Sequence, residues 1–447
     1  MTTRPIVVLC PHFAPDTAPT GDVITTIVHA MVRRGRRVHV VTALPWYRQH
    51  SIEEGWTGRL VRRERTEWGS IIRVHPFPGK SKRNLLRRAV GFGLFSLLAG
   101  VCTLFAGGWR RRPAAIISMS PPLTLGLTGW LAARLRLTRS IFNIQDVFPD
   151  AAVETGAITN KRIISVARWL ERVSYRRSDA VVVLSDDLRD NVAAKIGPRH
   201  VSKVVVIPNF VDSEFITPLP RDTSYRTELG IGDEPVVMYA GNVGFSQSLD
   251  LVVEAARRIP EATFVINGDG SGREHFEQSA AGIPNIRFNG YQPKSRVPEV
   301  LATGDIHVVP LRTGLGAVSV PSKTYSILAA GRPVVAAIDP GTEVPRILSA
   351  SSAGISVPPD DIEPFVDALR RLVNDPRERD RMGRNARDWV VSHVSPVAVA
   401  EASSRSLIRG GSLSHSWLVV HQQKRSPVSR RRARERRCAS RAAPSSP

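Results

Sequence analysis

The fold class is indicated by residues 5–42, near the start of the chain. They open with the apolar run Pro5-Ile6-Val7-Val8-Leu9-Cys10 and close with a second run, Arg37-Val38-His39-Val40-Val41-Thr42. Between the two runs, a loop is followed by apolar residues that recur with helical spacing from Val23 to Arg33. A β-loop-α-β unit of this length is typical of half of a Rossmann-like sheet.

The same alternation of strands and helices continues along the chain in two series. The first series predicts further strands at residues 71–75, 114–119, 140–144, 180–184 and 203–207. The second predicts strands at residues 236–240, 263–267, 286–289, 306–309, 334–338 and 354–357, with helices at 249–258, 297–302, 322–330, 343–349 and 363–374. We therefore expect an α/β protein with two doubly wound parallel sheets.

These two sheets define the predicted domain organisation. Residues 1–210 form the first domain and residues 211–393 the second. Ligands of such sheets bind beyond the carboxyl ends of the strands, which places the site in the cleft between the domains. Residues 394–407 are predicted to form a helix that returns to the first domain, and residues 408–447 a basic disordered tail.

Cysteine content and the N-terminus bear on the cellular compartment. The three cysteines, Cys10, Cys102 and Cys438, are far apart and lack the spacing of metal ligands. This pattern excludes a disulfide framework and fits a reducing compartment. The apolar run that begins the chain ends at Pro11, which makes it too short for the core of a signal peptide. A cytoplasmic location is expected.

The positive charge is concentrated in two places. The chain carries a net charge of +22, of which residues 405–447 contribute +10. A second concentration lies between Glu67 and Asp146, where the sequence has twelve Lys or Arg residues and no acid. Such a surface requires an anionic partner, either membrane lipid or nucleic acid.

The second basic region brackets the most apolar part of the chain. Residues 89–109 contain no charge, and Arg110, Arg111 and Arg112 follow directly. The length matches a transmembrane helix. However, the segment joins two strands of one sheet, so a single crossing would divide a domain between two sides of a bilayer. We therefore predict an in-plane or hairpin-like insertion on an anionic membrane surface. The alternative is an ordinary buried helix of the first domain.

Glycine-rich loops follow two strands of the second domain. Gly241-Asn242-Val243-Gly244 comes after the first strand and Asn267-Gly268-Asp269-Gly270-Ser271-Gly272 after the next. Glycine allows the backbone to approach a diphosphate, although it also serves ordinary tight turns. The dinucleotide pattern G-x-G-x-x-G is missing after the first strand of the chain, which argues against NAD.

A second candidate feature lies at residues 321–336. Ser322 is predicted to cap a helix, and Lys323 places a cation in its first turn, where the helix dipole disfavours one. A cation in that position typically faces a bound anion. The alternative is a solvated lysine.

Taken in order, these motifs resemble the retaining glycosyltransferases of family 4. The resemblance covers about residues 4–404 and includes Asp16 to Gly21, Phe142 to Asp150, Val206 to Asp212 and the region 306–345. It is strongest to the branch that makes colanic acid and O-antigens with sugars such as N-acetylfucosamine. The resemblance implies the two-domain GT-B fold, a nucleotide-sugar donor of the UDP or GDP type, and no cofactor. It also implies retention of anomeric configuration.

The sequence departs from the common family pattern at several positions. Many members carry two glutamates eight residues apart, where this chain has Val318 and Ser326. The usual arginine and lysine that grip the donor diphosphate correspond to Asn242 and Gln247. Lys323 is a candidate for the replacement cation, and Glu343 is a candidate for the missing ribose contact.

Carried onto this chain, the resemblance suggests roles for further residues. Asp146 would orient the acceptor or shield the positive charge that develops on the anomeric carbon; the alternative is a helix-capping aspartate. Gly21 would let a first-domain loop approach the donor phosphate, whereas His12 is expected to be structural. Amides near Gly244 and Ser322 would bind the diphosphate together with Lys323, so that no metal is needed. The apolar segment makes a lipid-linked saccharide the expected acceptor.

Two other functions remain open at this point. The first is a sugar-nucleotide epimerase on the same fold, which the lack of acids between Asp305 and Asp339 disfavours. The second is a catalytically impaired or non-enzymatic binding protein whose basic tail contacts nucleic acid. That tail has few aromatic residues and no recognition-module pattern, so no specific nucleic acid is expected.

Overall fold

The computed structural model describes residues 4–16, 18–47, 51–78, 85–150, 153 and 158–394. Apart from Val394, the predicted returning helix at 394–407 and the predicted tail at 408–447 lie outside the described residues.

The first domain is built on an eight-stranded sheet. Its strands, in chain order, are β1 (Ile6–Leu9), β2 (Val38–Ala43), β3 (Val61–Thr66), β4 (Gly69–Val74), β5 (Ala115–Met119), β6 (Arg139–Asn143), β7 (Ala180–Val183) and β8 (Val204–Val206). They lie in the order β3-β4-β2-β1-β5-β6-β7-β8, and all neighbouring pairs are parallel except β3 with β4. The sequence did not predict β3, because this edge strand reads Val-Arg-Arg-Glu-Arg-Thr and buries no side chain.

Helices cover both faces of this sheet. They are α1 (Pro19–Arg33), α2 (Leu85–Phe105), α3 (Thr124–Leu135), α4 (Lys161–Arg177) and α5 (Asp186–Ile196), followed by a 3-10 helix (Pro198–Lys203). The crossovers through α2, α3, α4 and α5 all advance in one direction along the sheet, whereas the crossover through α1 runs the opposite way. Because such crossovers are right-handed, α2 to α5 lie side by side on one face and α1 on the other.

The second domain has a six-stranded parallel sheet. Its strands are β9 (Val236–Ala240), β10 (Thr263–Asn267), β11 (Ile286–Asn289), β12 (Ile306–Pro310), β13 (Val334–Ala337) and β14 (Gly354–Val357), in the order β11-β10-β9-β12-β13-β14. Its helices are α6 (Ser224–Glu228), α7 (Leu249–Arg258), α8 (Arg273–Ser279), α9 (Val297–Thr303), α10 (Lys323–Ala329), α11 (Glu343–Ser351), α12 (Ile362–Asn374) and α13 (Pro376–His393). All six predicted strands are present, which confirms the second doubly wound sheet.

Helix α2 contains most of the apolar segment singled out in the sequence. One of its faces packs into the first domain, where Phe95 and Ala99 lie in the core with residues of β1, β2 and β4. The helix is continuous over its 21 residues and does not form a hairpin. Within the described residues, none of the helices has both the length and the apolar character needed to cross a bilayer.

The two domains meet along the carboxyl ends of their strands. The Val147 amide, in the loop after β6, donates a hydrogen bond of 3.2 Å to the Val318 carbonyl, in the loop after β12. One hydrophobic cluster also extends through both domains, from Phe142 in β6 to Tyr325 in α10. The loops that carry the candidate site residues therefore face each other where the domains meet, which is the position of the predicted cleft.

Candidate functional site

The glycine loops that follow β9 and β10 pack directly on each other. The Val243 amide donates to the Asp269 carbonyl at 3.0 Å, and the Gly272 amide donates to the Val243 carbonyl at 3.0 Å. Gly268 has a positive φ of 146°, and a Cβ atom there would lie 1.8 Å from the Gly241 carbonyl oxygen. Gly268 is thus required for the contact between the loops, rather than for an approach to a ligand. The Asp269 side chain bonds the amide of Gly270 at 2.7 Å and remains exposed.

The predicted diphosphate amide of Gly244 already has a partner. Gln247 Oε1 accepts a hydrogen bond from the Gly244 nitrogen at 3.1 Å, which satisfies a buried amide as the interior requires. Asn242 is exposed, and its carbonyl accepts a hydrogen bond of 2.5 Å from the Tyr239 hydroxyl. Gln247 therefore closes the loop on itself, and a phosphate could use this amide only after the Gln247 side chain turned away.

Lys323 supplies the cation of the site. Its ammonium lies 3.9 Å from the centroid of the Tyr239 ring, in a cation–π contact. A Cβ atom on Gly241 would lie 3.3 Å from Lys323 Nζ, so the ammonium also rests against the first glycine loop. The side chain keeps partial access to solvent, and its burial between the domains lowers its pKa to about 7. The structure thus brings together two motifs that the sequence separates by some eighty residues.

Ser322 and Glu343 are two further predicted site residues of this part of the chain. Ser322 was predicted to cap α10, but its side chain makes no capping hydrogen bond. The reason is its backbone, which is already helical at φ −60° and ψ −24°, whereas a capping residue is normally extended. Glu343 begins α11, where burial raises its carboxyl pKa and Arg346 lies 3.1 Å away. Arg346 in turn pairs with Asp187 of the first domain at 2.6 Å, so Glu343 belongs to an ionic cluster between the domains.

Carboxylates hold the loop between β12 and α10 in place. Asp339 accepts hydrogen bonds from the amides of Gly314 at 2.9 Å and Gly316 at 2.9 Å. Asp360 accepts from the amide and the hydroxyl of Thr313. In this loop, Val318 stands where the resemblance implies a glutamate, and the Val318 side chain is buried. Its conformation is consequently fixed by acids that lie outside the loop.

Asp146 lies on the opposite wall of the cleft, after β6. Its carboxylate accepts a hydrogen bond of 2.9 Å from Ser319, which belongs to the loop just described. Burial raises the pKa of Asp146, and the bond from Ser319 partly offsets that rise. The side chain nevertheless retains solvent access because it lines the cleft. The carboxylate therefore bonds across the domain boundary; most of the segment that it was alternatively predicted to cap, residues 151–157, lies outside the described residues.

Gly21 lies in a different setting from the one predicted. It was placed in a loop that would approach the donor, but α1 begins at Pro19, so Gly21 belongs to its first turn. Proline is favoured at the first helical position, which explains the earlier start. A Cβ atom on Gly21 would lie 3.0 Å from the Cβ of His12. Its small size therefore serves the packing of helix against loop.

His12 forms a buried pair with Asp16, an acid of the N-terminal motif. His12 Nδ1 lies 2.7 Å from Asp16 Oδ2, and the His12 ring stacks on Trp46 at 5.7 Å. Asp16 also accepts a hydrogen bond of 3.1 Å from the Tyr47 amide. These contacts fix the loop after β1 and agree with the structural role expected for His12.

Three residues of the cleft were not predicted from the sequence. Tyr239 lies one residue before the end of β9, and its position next to the glycine loop was the available signal. Ser319 contacts Asp146, and Tyr291 donates to the Asp269 carbonyl at 3.1 Å. No local sequence pattern indicates these two contacts, because each depends on how the two domains or two loops are placed.

Within the described residues, no three His, Cys, Asp or Glu side chains converge in a way that could hold a metal ion. The expectation of metal-independent chemistry stays a prediction.

Comparison with protein families matches both halves of the chain. Residues 20–209 match the model of a glycosyl transferase 4-like domain, and residues 234–375 match the model of glycosyl transferases group 1. One relative is WcaI of Escherichia coli K12, assigned to colanic acid biosynthesis as a glycosyl transferase. The two are 26% identical over 373 residues, which cover 81% of this chain and 90% of WcaI.

Solved structures of the same architecture cover almost all of the described chain. Sucrose-phosphate synthase from Thermosynechococcus elongatus superposes with a TM-score of 0.69 at 17% identity, covering 90% of this chain and 98% of that one. HepE of Anabaena in complex with UDP-glucose superposes with a TM-score of 0.65 at 15% identity, covering 90% and 99%. At such identities the likeness shows the fold alone, and it confirms the predicted GT-B architecture.

Proposed function

The chain belongs to the two-domain glycosyltransferases of family 4, and on that premise we propose that it builds a cell-surface polysaccharide. The donor is a nucleotide-diphosphate sugar of the UDP or GDP type, and the acceptor is a lipid-linked saccharide. The reaction retains the anomeric configuration and needs neither metal nor cofactor. The enzyme works in the cytoplasm, as a peripheral protein on the inner face of the cell membrane.

One observation carries the proposed donor site. Lys323 presents a half-buried ammonium between the domains, burial lowers its pKa, and within the described residues no carboxylate forms an ion pair with it. Its contact with Tyr239 is a weaker substitute for an anionic partner. A buried cation without a carboxylate is costly unless an anion joins it in the working complex. The diphosphate of a nucleotide sugar provides that anion.

The chemistry follows from where charge develops. Cleavage of the bond between sugar and diphosphate places negative charge on the leaving phosphate and positive charge on the anomeric carbon. Lys323 stabilises the leaving group, and its fixed position on Tyr239 means that little reorganisation is needed. Asp146, on the facing wall, orients the acceptor hydroxyl or shields the anomeric charge. The departing phosphate accepts the acceptor proton as the new glycosidic bond forms on the same face.

Support for the acceptor and for the pathway comes from outside the cleft. WcaI, to which most of the chain is similar, is assigned to colanic acid biosynthesis, a polysaccharide pathway. The apolar segment in α2 belongs to the first domain, which is the acceptor side in this proposal. A saccharide carried on a lipid would meet the enzyme at that surface.

A panel of nucleotide sugars tests the proposal. Purified protein, with and without membranes, is incubated with UDP-, GDP- and dTDP-sugars, and released nucleotide is measured. We expect release with one donor class and a clear increase when membranes supply the acceptor. Neither release nor binding of any nucleotide sugar would contradict the proposed function.

A further inference from the structure

From residue 90 onward, the outward face of α2 is entirely apolar. Between residues 90 and 105, every residue of this helix that the structure leaves exposed is Val, Leu, Phe or Gly. The large ones form a stripe at helical spacing: Val90, Leu94, Leu97, Val101 and Phe105. The opposite face already packs in the core, so this stripe is not the core-facing side of an amphipathic helix.

The two neighbouring helices extend the apolar surface. In α3 and the turn after it, Leu131, Leu135 and Leu137 are exposed. In α4, a second stripe of Ile163, Val166 and Trp169 is exposed. Helix α3 contacts both α2 and α4, and all three lie on the same face of the sheet. We name the exposed apolar residues of α2, α3 and α4, together with Trp109, the apolar face.

Basic residues border the apolar face, and exposed acids are nearly absent from its helices. Arg110, Arg111 and Arg112 follow α2, and α4 contributes Lys161, Arg162, Arg168 and Arg172, all exposed. Helices α2 and α3 contain no acid. The one acid of α4, Glu171, is buried and bonded to Lys195 at 2.6 Å. An apolar centre with a cationic border is the pattern that anionic lipid headgroups complement.

The end of α2 is held rigidly at this border. The Arg136 guanidinium donates to the carbonyls of Ala106 and Gly108, each at 2.7 Å, and to that of Arg111 at 2.5 Å. These bonds tie the segment that follows α2 to the residue that ends α3. They fix the position of Trp109, whose ring lies 5.8 Å from that of Phe105. Aromatic rings beside arginines are enriched where protein meets the membrane–water interface.

We propose that the apolar face is a docking surface for an anionic lipid bilayer, with α2 lying in the membrane plane. The inference rests on the proposed function. It extends the membrane contact from α2 to α3 and α4 and defines the orientation of the enzyme on the bilayer. A second copy of the chain fits this surface less well, because a symmetric dimer would place the basic borders of the two copies against each other. The C-terminal tail is a poor occupant for the same reason, since residues 405–447 carry +10.

The orientation follows from chain direction. Helix α2 begins after the carboxyl end of β4, on the edge of the sheet that faces the cleft, and descends toward the opposite edge. With α2 lying along the bilayer, the mouth of the cleft opens beside the headgroups. A lipid-linked acceptor then reaches Asp146 without leaving the membrane.

Vesicle co-sedimentation of the full chain tests the docking surface. Vesicles of phosphatidylcholine with phosphatidylglycerol are compared with phosphatidylcholine alone, and high salt suppresses the contribution of the basic tail. We expect binding to the anionic vesicles that persists in part at high salt. Leu97→Glu with Val101→Glu should lower the partition coefficient more than about tenfold, and so should replacing Arg110, Arg111 and Arg112 by Glu at low salt.

A matched pair of variants provides the control. Val101 is 47% exposed on α2 and Val391 is 49% exposed on α13 of the second domain. Val101→Glu should weaken vesicle binding several-fold, whereas Val391→Glu should leave it unchanged. Equal binding of wild type and Leu97→Glu/Val101→Glu would overturn the inference. So would a wild-type dimer in light scattering that this double variant dissociates.

The outcome is separable from that of the proposed function. Vesicle binding is measured without nucleotide sugar, and nucleotide release is measured with the donor panel. Turnover without vesicle binding would overturn the docking surface alone. Vesicle binding without turnover or donor binding would overturn the proposed function alone.

Discussion

Helices α2 and α12 occupy comparable positions, yet their outer surfaces are opposite. Each covers a largely parallel sheet and buries apolar side chains on it, among them Phe95 in α2 and Phe365 in α12. The exposed residues of α12 are all polar: Glu363, Asp367, Arg370, Arg371 and Asn374. Those of α2 from residue 90 onward are all apolar. The fold therefore does not demand the outer surface of α2, and a partner outside the chain explains it better.

The contrast extends to the two domains. The second domain holds Lys323 and the glycine loops, and its exterior helices are polar in the ordinary way. The first domain holds Asp146 and carries the apolar face. We interpret this as a separation between donor chemistry in one domain and contact with the acceptor membrane in the other. The following experiments test that separation, starting with the largest expected effect.

The inner faces of α2 and α12 should respond alike to truncation. Phe95→Ala and Phe365→Ala each remove a buried ring, so each should lower the free energy of unfolding by about 3–5 kcal/mol. Leu97→Ala, on the outer face of α2, should change it by less than about 0.5 kcal/mol. Chemical denaturation monitored by circular dichroism measures all three. A large loss of stability in Leu97→Ala would mean that the stripe belongs to the fold, and the comparison of the two helices would fail.

Lys323→Ala should separate turnover from membrane binding. Loss of the cation that stabilises the leaving diphosphate should lower kcat/KM by about 10²–10³-fold, while vesicle binding stays at the wild-type level. Arg257→Ala is the control, because it also removes a cation from the second domain, but an exposed one that pairs with Glu254 and donates to the Ser279 carbonyl. Steady-state kinetics with the best donor of the panel provide the measurement. Unchanged turnover in Lys323→Ala would refute the role assigned to this residue.

Asp146→Asn tests the facing wall of the cleft. Asparagine keeps the shape of the side chain and an acceptor oxygen for Ser319, but it removes the negative charge near the anomeric carbon. We expect kcat to fall by about 10²-fold with little change in donor binding. Ser319→Ala controls for the contact between the domains, since it removes the 2.9 Å hydrogen bond but leaves the carboxylate. Equal losses of kcat in the two variants would assign Asp146 to domain contact rather than to chemistry.

The sequence predicted the positions of the strands and site residues better than the roles of those residues. The strands and the positions of Gly241 and Lys323 follow from local patterns, so both domains and the cleft could be predicted. The roles of Gly268 and Gly21 could not, because each depends on a backbone or side chain from another loop. Strand β3 was missed since an exposed, charged edge strand lacks alternation. The apolar composition of α2 was visible in the sequence. Only the packing shows which face of the helix lies in the core and which face is exposed.

The pH dependence of donor use should report the state of Lys323. Burial lowers its pKa to about 7, so the free enzyme is cationic below that value and increasingly neutral above it. Between pH 7 and pH 8 the protonated fraction falls from about one half to about one tenth, and kcat/KM for the donor should fall roughly fivefold. Bound diphosphate favours the charged lysine, so kcat measured at saturation should change much less over the same range. Lys323→Arg keeps a charge at every accessible pH and should flatten the kcat/KM profile. A wild-type profile that is already flat would place the needed cation elsewhere, and the donor chemistry could no longer be assigned to this lysine of the second domain.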